Sequence, residues 1–223
     1  MNRSANAVDT TDRISPARAS YLKDTGINYV GRYLSGYWPV TLTELDSILA
    51  AGLHFIPIFE RSGSDENAEY VTEIGYFTSV QGTKDALYAI EKVDRLGLPR
   101  ATIIYFAVDF DVYDYEVDSN IIPYFNVLKT ALSQNSDYQA GIYASRSACK
   151  KVTNAGHTVA SYVCDMSNSM NASNKMIFGD SGTLQPVVSI ANTVEHGSMT
   201  VAFKIDDTGN LQVDLQVELL LAY

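Results

Sequence analysis

The sequence predicts an α/β protein whose parallel sheet forms a TIM-like barrel. Two observations indicate this class: apolar strand-like segments alternate with helical segments five times, and the later segments are strands without helices. Alternating strands and helices imply a parallel sheet, either open or closed into a barrel. A third observation favours the barrel, since acidic residues end several strands and converge readily only around one mouth.

The predicted elements follow in chain order. Strands are expected at residues 5–9, 28–34, 54–60, 102–108, 139–144 and 161–165. Helices are expected at residues 16–25, 43–52, 80–96, 121–132 and 145–155, where Ser-Pro or Thr starts the first two and Gly follows most of them. Pro57 lies inside the third strand, so we expect it at a bulge or where its missing N–H breaks no pairing. The polar stretch 61–76 is too long for an ordinary turn and is a candidate flap over a site, and 111–118 is a second, acid-rich loop.

The pattern changes after residue 166. A polar loop is followed by predicted strands at 183–191, 199–205 and 211–221, and the turn signal at 207–210 joins the last two. Residues 211–219 alternate apolar and polar side chains, so we expect this strand to pair antiparallel with 199–205 or with another subunit. The prediction is one domain over residues 1–223, with a β-rich tail from about residue 176.

The candidate chemistry lies at residues 102–111, where an apolar run without alternation ends in Asp109 and Asp111. Such a run is typical of a strand buried on both faces. If the strand continues, both carboxylates point to the same side, and their repulsion keeps one protonated while the other is ionised. This arrangement suits general acid and base catalysis. The alternative is a loop that caps the next helix or binds a cation.

Composition excludes several function classes. The net charge is −10 and no cluster of Lys and Arg forms a basic stripe, which argues against nucleic-acid binding. Cys149 and Cys164 lack the spacing of a zinc site, so no metal or other cofactor is expected, and a disulfide between them stays open. No stretch approaches the ~18 apolar residues of a membrane span, and the N-terminus lacks the apolar core of a signal peptide.

Five motifs occur in order over residues 8–13, 29–34, 55–60, 104–111 and 141–146, and they resemble the glycoside-hydrolase-like domains related to family 25 lysozymes. The resemblance implies a barrel of five βα units followed by strands without helices, and muramidase activity on the bacterial cell wall. By resemblance Asp109 takes the place of the family's catalytic Asp and Asp111 that of its Glu, one methylene longer. Asp9 and Glu60 match the other acidic positions of the mouth. Secretion or cell-wall association is implied, with an intracellular location as the alternative.

Six further residues are candidates for substrate binding. Aromatic rings suit the C–H faces of sugars, and Arg32 lies mid-strand, where we expect it first to pair with one of the candidate site acids and only second to contact substrate. Asp165 ends the sixth strand. The set is Arg32, Tyr33, Trp38, Tyr105, Tyr143 and Asp165.

The resulting hypothesis is a glycoside hydrolase acting on peptidoglycan or a related aminosugar polymer. Asp111 would protonate the leaving oxygen, while Asp109, with Asp9 or Glu60, would stabilise positive charge at the sugar. The family leaves open whether the substrate's N-acetyl group or an enzyme carboxylate attacks. The alternative function is a catalytically inactive glycan-binding or assembly module, with self-association through the C-terminal strands.

Overall fold

The computed structural model describes residues 6–61, 73–165, 187–194, 197–205 and 211–213, and from Asp165 onward it describes the backbone alone. The strands are β1 (Asn6–Asp9), β2 (Ile27–Tyr33), β3 (His54–Phe59), β4 (Ile103–Val108), β5 (Gln139–Ala144), β6 (Ala160–Asp165), β7 (Val187–Val194), β8 (Gly197–Ile205) and β9 (Leu211–Val213). The helices are α1 (Pro16–Asp24), α2 (Leu42–Ala50), α3 (Ser79–Arg95), α4 (Asp114–Glu116), α5 (Ile122–Asn135) and α6 (Arg146–Asn154).

Strands β1 to β6 form a parallel sheet in chain order, and helices lie between them in sequence. The register runs, for example, from Asp9 beside Gly31 to Ala107 beside Tyr143. Strand β7 continues the parallel order beside β6, whereas β8 is antiparallel to β7. Strand β8 also pairs with β1 through Asn6 and Ala7, and β9 pairs antiparallel with β8.

Strands β1 to β6 curl strongly, as one contact across the sheet shows. The Tyr143 hydroxyl of β5 lies 3.4 Å from Oδ2 of Asp9 on β1. In a flat sheet these strands, four positions apart, would be separated by about 19 Å, well beyond the reach of a tyrosine side chain. The inner faces of β1 and β5 therefore face each other across a half-barrel.

Strand alternation sorts the side chains into an inner and an outer layer. The inner cluster contains Ile56 and Ile58 of β3, Ala107 of β4 and Tyr143 of β5, with Tyr105 packed against it. The intervening side chains face outward and pack under α3, α5 and α6 in one cluster and under α1 and α2 in another. No helix within the described ranges is long and apolar enough to cross a membrane.

Most predicted elements are present with ends shifted by one or two residues, but two expectations need correction and one open question is answered. Strand β4 ends at Val108, so the strand does not continue through Asp109 and Asp111. The acid-rich stretch 111–118 is partly helical, because α4 and a π-helical turn at Val117–Ile121 lead into α5. Cys149 and Cys164 are both free thiols, not a disulfide.

Two other expectations concern β3 and the segment after it. Pro57 precedes Ile58, the first residue of β3 that pairs with β4, so its missing N–H interrupts no pairing there. Of the predicted flap, residues 62–72 lie outside the described residues, and Ile74–Tyr76 is a short 3₁₀-helix. The C-terminal part of the last predicted strand, residues 214–221, also lies outside them.

Arg32 is fully buried on the outer face of β2 and pairs with Glu44 of α2. Its Nη1 donates to the carbonyl oxygen of Thr10 (2.8 Å) and its Nη2 to that of Trp38 (3.0 Å). Oε1 of Glu44 also accepts the backbone N–H of Ile14 at 2.9 Å. The ion pair therefore forms with a helix residue and not with one of the candidate site acids, and it fixes both the segment after β1 and the loop after β2.

Breaking this pair on one side should destabilise the protein strongly. We expect Arg32→Met to lower the free energy of unfolding by about 3–5 kcal/mol, because it leaves the Glu44 carboxylate buried without its cation. The matched control is Arg18→Met, which removes an exposed pair with Asp12 and should cost under about 1 kcal/mol. Urea unfolding of both variants checks this, and equal losses would contradict it.

Candidate active site

Three acidic side chains extend the inward-facing rows of their strands at the carboxyl edge of the sheet. Asp9 is the last residue of β1, Glu60 follows β3 directly, and Asp109 follows β4 directly. Glu60 is two residues beyond Ile58, and Asp109 two beyond Ala107, so each continues an inner-face row. Carboxyl ends of parallel strands surround one mouth in a curled sheet, which brings three acids of distant sequence positions together.

Asp9 occupies the floor of this mouth. A Cβ atom on its neighbour Gly31 would lie 2.9 Å from the Asp9 Cβ and 3.0 Å from Cδ1 of Ile58, so glycine leaves room for both side chains. The hydroxyls of Tyr33 and Tyr143 each lie 3.4 Å from Oδ2 of Asp9 and donate long hydrogen bonds to it. The Tyr143 ring also stacks on Tyr162, with centroids 5.0 Å apart.

Burial raises the pKa of all three carboxyl groups, and neighbouring charges add to the rise for Asp9 and Glu60. Burial, helped by the charge of Asp109, raises the pKa of Asp9 to about 7. Burial and the charges of Asp109 and Asp9 raise the pKa of Glu60 to about 8. Burial raises the pKa of Asp109 as well. Carboxyl groups whose pKa values lie near 7 and 8 exchange protons close to neutral pH, which suits acid and base chemistry.

The three acids differ in how much of each side chain is exposed to solvent. Asp9 is only 2% exposed, whereas Glu60 and Asp109 are half-buried. A bound molecule can thus contact Glu60 and Asp109 directly, while the buried Asp9 acts on Glu60 through its charge.

Asp111 does not join this group. Its side chain is exposed, and it is not among the charges that raise the pKa of Asp9 or Glu60. The reason is the end of β4 at Val108: beyond it no strand geometry directs residue 111 toward the interior. The expected pairing of Asp109 with Asp111 is replaced by the grouping of Asp109 with Glu60 and Asp9.

The candidate substrate-binding residues occupy different places. Tyr33 and Tyr143 contact Asp9 at the mouth, whereas Tyr105 lies deeper, below Ala107, where its ring packs edge-on against Tyr162. Trp38 is 59% exposed on the loop after β2. Arg32 is directed to the outer face, which does not support the expected substrate contact. Asp165 is the last residue of β6, and its side chain lies outside the described residues.

Sequence reasoning missed two residues that shape the site. Ser35 donates its hydroxyl to the carbonyl oxygen of Glu60 at 2.6 Å. Tyr162 supports the Tyr143 ring. Alternation along β6 could have placed Tyr162 on the inner face, but nothing in the sequence signals the Ser35 contact. Among the described side chains, no three His, Cys, Asp or Glu residues form a group able to hold a metal ion.

A curled parallel sheet with carboxyl groups gathered at the carboxyl ends of its strands is the arrangement of a glycoside hydrolase-like α/β domain. The family model described as "Rv2525c-like, glycoside hydrolase-like domain" matches residues 20–189. The chain belongs to this family.

The chain is also similar to part of a longer bacterial protein. The chain is 39% identical over 180 residues to YbfG of Bacillus subtilis (strain 168), a match that covers 74% of this chain and 24% of YbfG. The chain therefore spans about a quarter of the length of this relative.

Two solved structures share the fold. The Tat-secreted protein Rv2525c of Mycobacterium tuberculosis, in complex with L-tartrate, gives a TM-score of 0.66 at 17% identity, covering 88% of this chain and 93% of that one. The modular autolysin LytC of Streptococcus pneumoniae, in complex with a synthetic peptidoglycan ligand, gives 0.54 at 12% identity, covering 89% of this chain and 46% of LytC.

The raised pKa of Glu60 predicts a pH-dependent cost to folding. Below the ordinary pKa of 4.5, Glu60 is protonated in both the folded and the unfolded protein, and its contribution to stability is fully present. As pH rises from 4.5 to the folded pKa of about 8, the unfolded protein ionises Glu60 more readily than the folded one, so this contribution is lost. Glu60→Gln cannot ionise, so we expect the variant to gain stability relative to wild type over this pH range, by on the order of 1–4 kcal/mol.

Urea unfolding at several pH values between about 4 and 9 measures this difference. The control is Glu91→Gln on α3, whose carboxylate is exposed in a pair with Arg95 and should show no such trend. A difference between Glu60→Gln and wild type that does not change with pH would show that burial has not raised the pKa of Glu60.

Proposed function

We propose that this domain is a glycoside hydrolase acting on peptidoglycan or a related aminosugar polymer. The observation that carries the proposal is the grouping of Asp9, Glu60 and Asp109 at one mouth, with pKa values raised to about 7 for Asp9 and about 8 for Glu60. Acetal hydrolysis needs one carboxyl group that holds a proton near neutral pH and one that stays ionised. Membership of a glycoside hydrolase-like family supports the same reaction.

Glu60 is the general acid in this scheme. It is accessible at the mouth, and the charge of Asp109 helps to keep its carboxyl protonated near neutral pH. It gives this proton to the leaving glycosidic oxygen as the C–O bond breaks. The resulting carboxylate can then take a proton from the water that completes hydrolysis.

Asp109 is the anion that stabilises positive charge developing at the anomeric carbon. It is half-buried beside Glu60, so its charge acts at short range on a bound sugar. Asp9 is buried at the floor of the mouth and raises the proton affinity of Glu60, with Tyr33 and Tyr143 as its hydrogen-bond donors. This scheme moves the acid from Asp111, the position implied by the lysozyme resemblance, to Glu60.

We also propose a closed barrel for this domain and an extracellular or cell-wall location for the protein. Pairing of β8 with β1 supports a closed TIM-like barrel of five βα units followed by strands without helices, as one domain. The Tat secretion of Rv2525c and the autolysin role of LytC support an extracellular or cell-wall location. Strand β9 and the residues after it are the candidate segment for self-association.

The scheme is tested by removing each carboxylate from the purified domain. We expect Glu60→Gln and Asp109→Asn to lower the release of reducing ends from peptidoglycan by about 10²- to 10⁴-fold, since each removes a proton donor or a stabilising charge. Asp111→Asn should leave the rate within about threefold of wild type, because the Asp111 side chain is exposed and does not belong to the cluster of three acids.

Glycan pull-down of each variant is the control for binding, and circular dichroism is the control for folding. If Asp111→Asn alone abolished hydrolysis, the acid would be Asp111, as the resemblance implies. Asp111→Glu would then be expected to raise the rate. A wild type that binds peptidoglycan without releasing reducing ends would favour the alternative, a glycan-binding or assembly module.

A further inference from the structure

Glu60 lies outside the strand ladder, so its position depends on contacts other than sheet hydrogen bonds. Strand β3 ends at Phe59, and the backbone carbonyl of Glu60 accepts a hydrogen bond from the Ser35 hydroxyl at 2.6 Å. The flanking residues Phe59 and Arg61 contact the opposite, outer side, where helix α3 packs. Holding both neighbours outward directs the Glu60 side chain inward.

A buried polar cluster on the outer side holds Arg61. Asp85 of α3 is fully buried, and its Oδ2 accepts the hydroxyls of Tyr76 (2.6 Å) and Tyr124 (2.7 Å). Its Oδ1 accepts the Gln81 side-chain amide at 2.8 Å. Nη1 of Arg61 lies 3.9 Å from the same Oδ1.

The buried Asp85 carboxylate stabilises this cluster, because its charge must be compensated by a cation and by hydrogen-bond donors. Burial raises the pKa of Asp85, while the three hydrogen bonds and the charge of Arg61 lower it. A carboxylate without solvent is costly unless a cation and hydrogen-bond donors compensate it. Asp85 therefore attracts Arg61 toward α3 and restrains the backbone one residue after Glu60.

Tyr88, one helical turn after Asp85, contacts both neighbours of Glu60. The Arg61 guanidinium lies 5.0 Å from the centroid of the Tyr88 ring, a cation–π distance. The same ring meets Phe59 edge-on, with centroids 5.9 Å apart and planes at 84°. Asp85 and Tyr88 thus form, with Arg61, a clamp that spans the end of β3.

We propose that this clamp of Asp85, Tyr88 and Arg61 positions the Glu60 carboxyl at the mouth. The catalytic consequence rests on the function proposed above, whereas the positioning can be measured without any activity. None of the three clamp residues touches substrate in this scheme, and they act through the backbone at Glu60.

The direction in which the pKa of Glu60 changes when the clamp is broken distinguishes positioning by the clamp from a direct effect of the Arg61 charge. If Arg61 acted on Glu60 only through charge, its removal would raise the pKa of Glu60, because a nearby cation favours the ionised acid. If the clamp holds Glu60 in its poorly hydrated place, releasing it lets the carboxyl reach water. The pKa then falls from about 8 toward the ordinary 4.5.

The experiment follows the Glu60 carboxyl by NMR in protein labelled with ¹³C-glutamate, with its resonance assigned from Glu60→Gln. We expect Arg61→Ala and Tyr88→Ala to lower the pKa of Glu60 by about one pH unit or more, and Arg61→Lys to recover part of the loss. Tyr88→Ala changes no charge, so its effect is positional. It also gives an independent measurement if Arg61→Ala does not fold.

Val93→Ala is the matched control, because it truncates another residue of α3 that is buried but outside the clamp. A Glu60 pKa that stays at its wild-type value in Tyr88→Ala, or that rises in Arg61→Ala, would overturn the proposal. So would a fall of equal size in Val93→Ala, which would make the effect one of general stability.

Kinetics separate this inference from the proposed function. In an active domain, Tyr88→Ala should lower kcat with KM changed by less than about twofold, and the alkaline limb of the kcat profile should move to lower pH. If wild type hydrolyses no peptidoglycan, the proposed function fails, and the NMR result alone still decides whether the clamp positions Glu60.

Discussion

Crowding of three carboxyl groups in a poorly hydrated mouth is the interaction on which the rest of the site depends. Each group loses solvation on the inner edge of the sheet, and ionised neighbours add repulsion, so the pKa values of Asp9 and Glu60 rise to about 7 and about 8. The fold must accommodate this unfavourable cluster. It does so with a glycine beside Asp9 and tyrosine hydroxyls directed at Oδ2 of Asp9.

The outer face of the same strands shows how the acids are kept in place. The residue after each acid is held from outside: Thr10 by Arg32, Arg61 by Asp85, and Phe110 by the Phe77 ring, with centroids 5.7 Å apart. Two of these anchors involve buried ion pairs, which are costly when incomplete and therefore restrict the arrangements available to the backbone. Each acid is thus repelled by its neighbours at the mouth, while the next residue along the chain is anchored on the outer side of the sheet.

Periodicity predicted the parallel sheet, the order of the helices and three of the acids, because these features depend on local pattern and on strand ends meeting at one edge. The failure at Asp111 has a physical cause. The Asp-x-Asp spacing places both side chains together only while strand geometry lasts, and the ladder between β4 and β5 ends with Val108 beside Ala144. Partners such as Glu44 and Asp85 were not predictable, since a carboxylate on a helix resembles a solvated one until tertiary packing buries it.

A curled parallel sheet allows the acidic residues at its mouth to differ from the pattern that the lysozyme resemblance implies. In a curled parallel sheet, the carboxyl ends of all strands border one mouth, so a proton donor can come from any of several strands. Which one serves depends on accessibility and on the charges around it, both properties of the folded site. In this domain the strand β3 edge supplies a half-buried glutamate next to Asp109, while residue 111 lies exposed to solvent. The shorter Asp111, at the position where the lysozyme resemblance implies a Glu, is then no obstacle to acid catalysis, because under the proposed scheme Glu60 carries the proton.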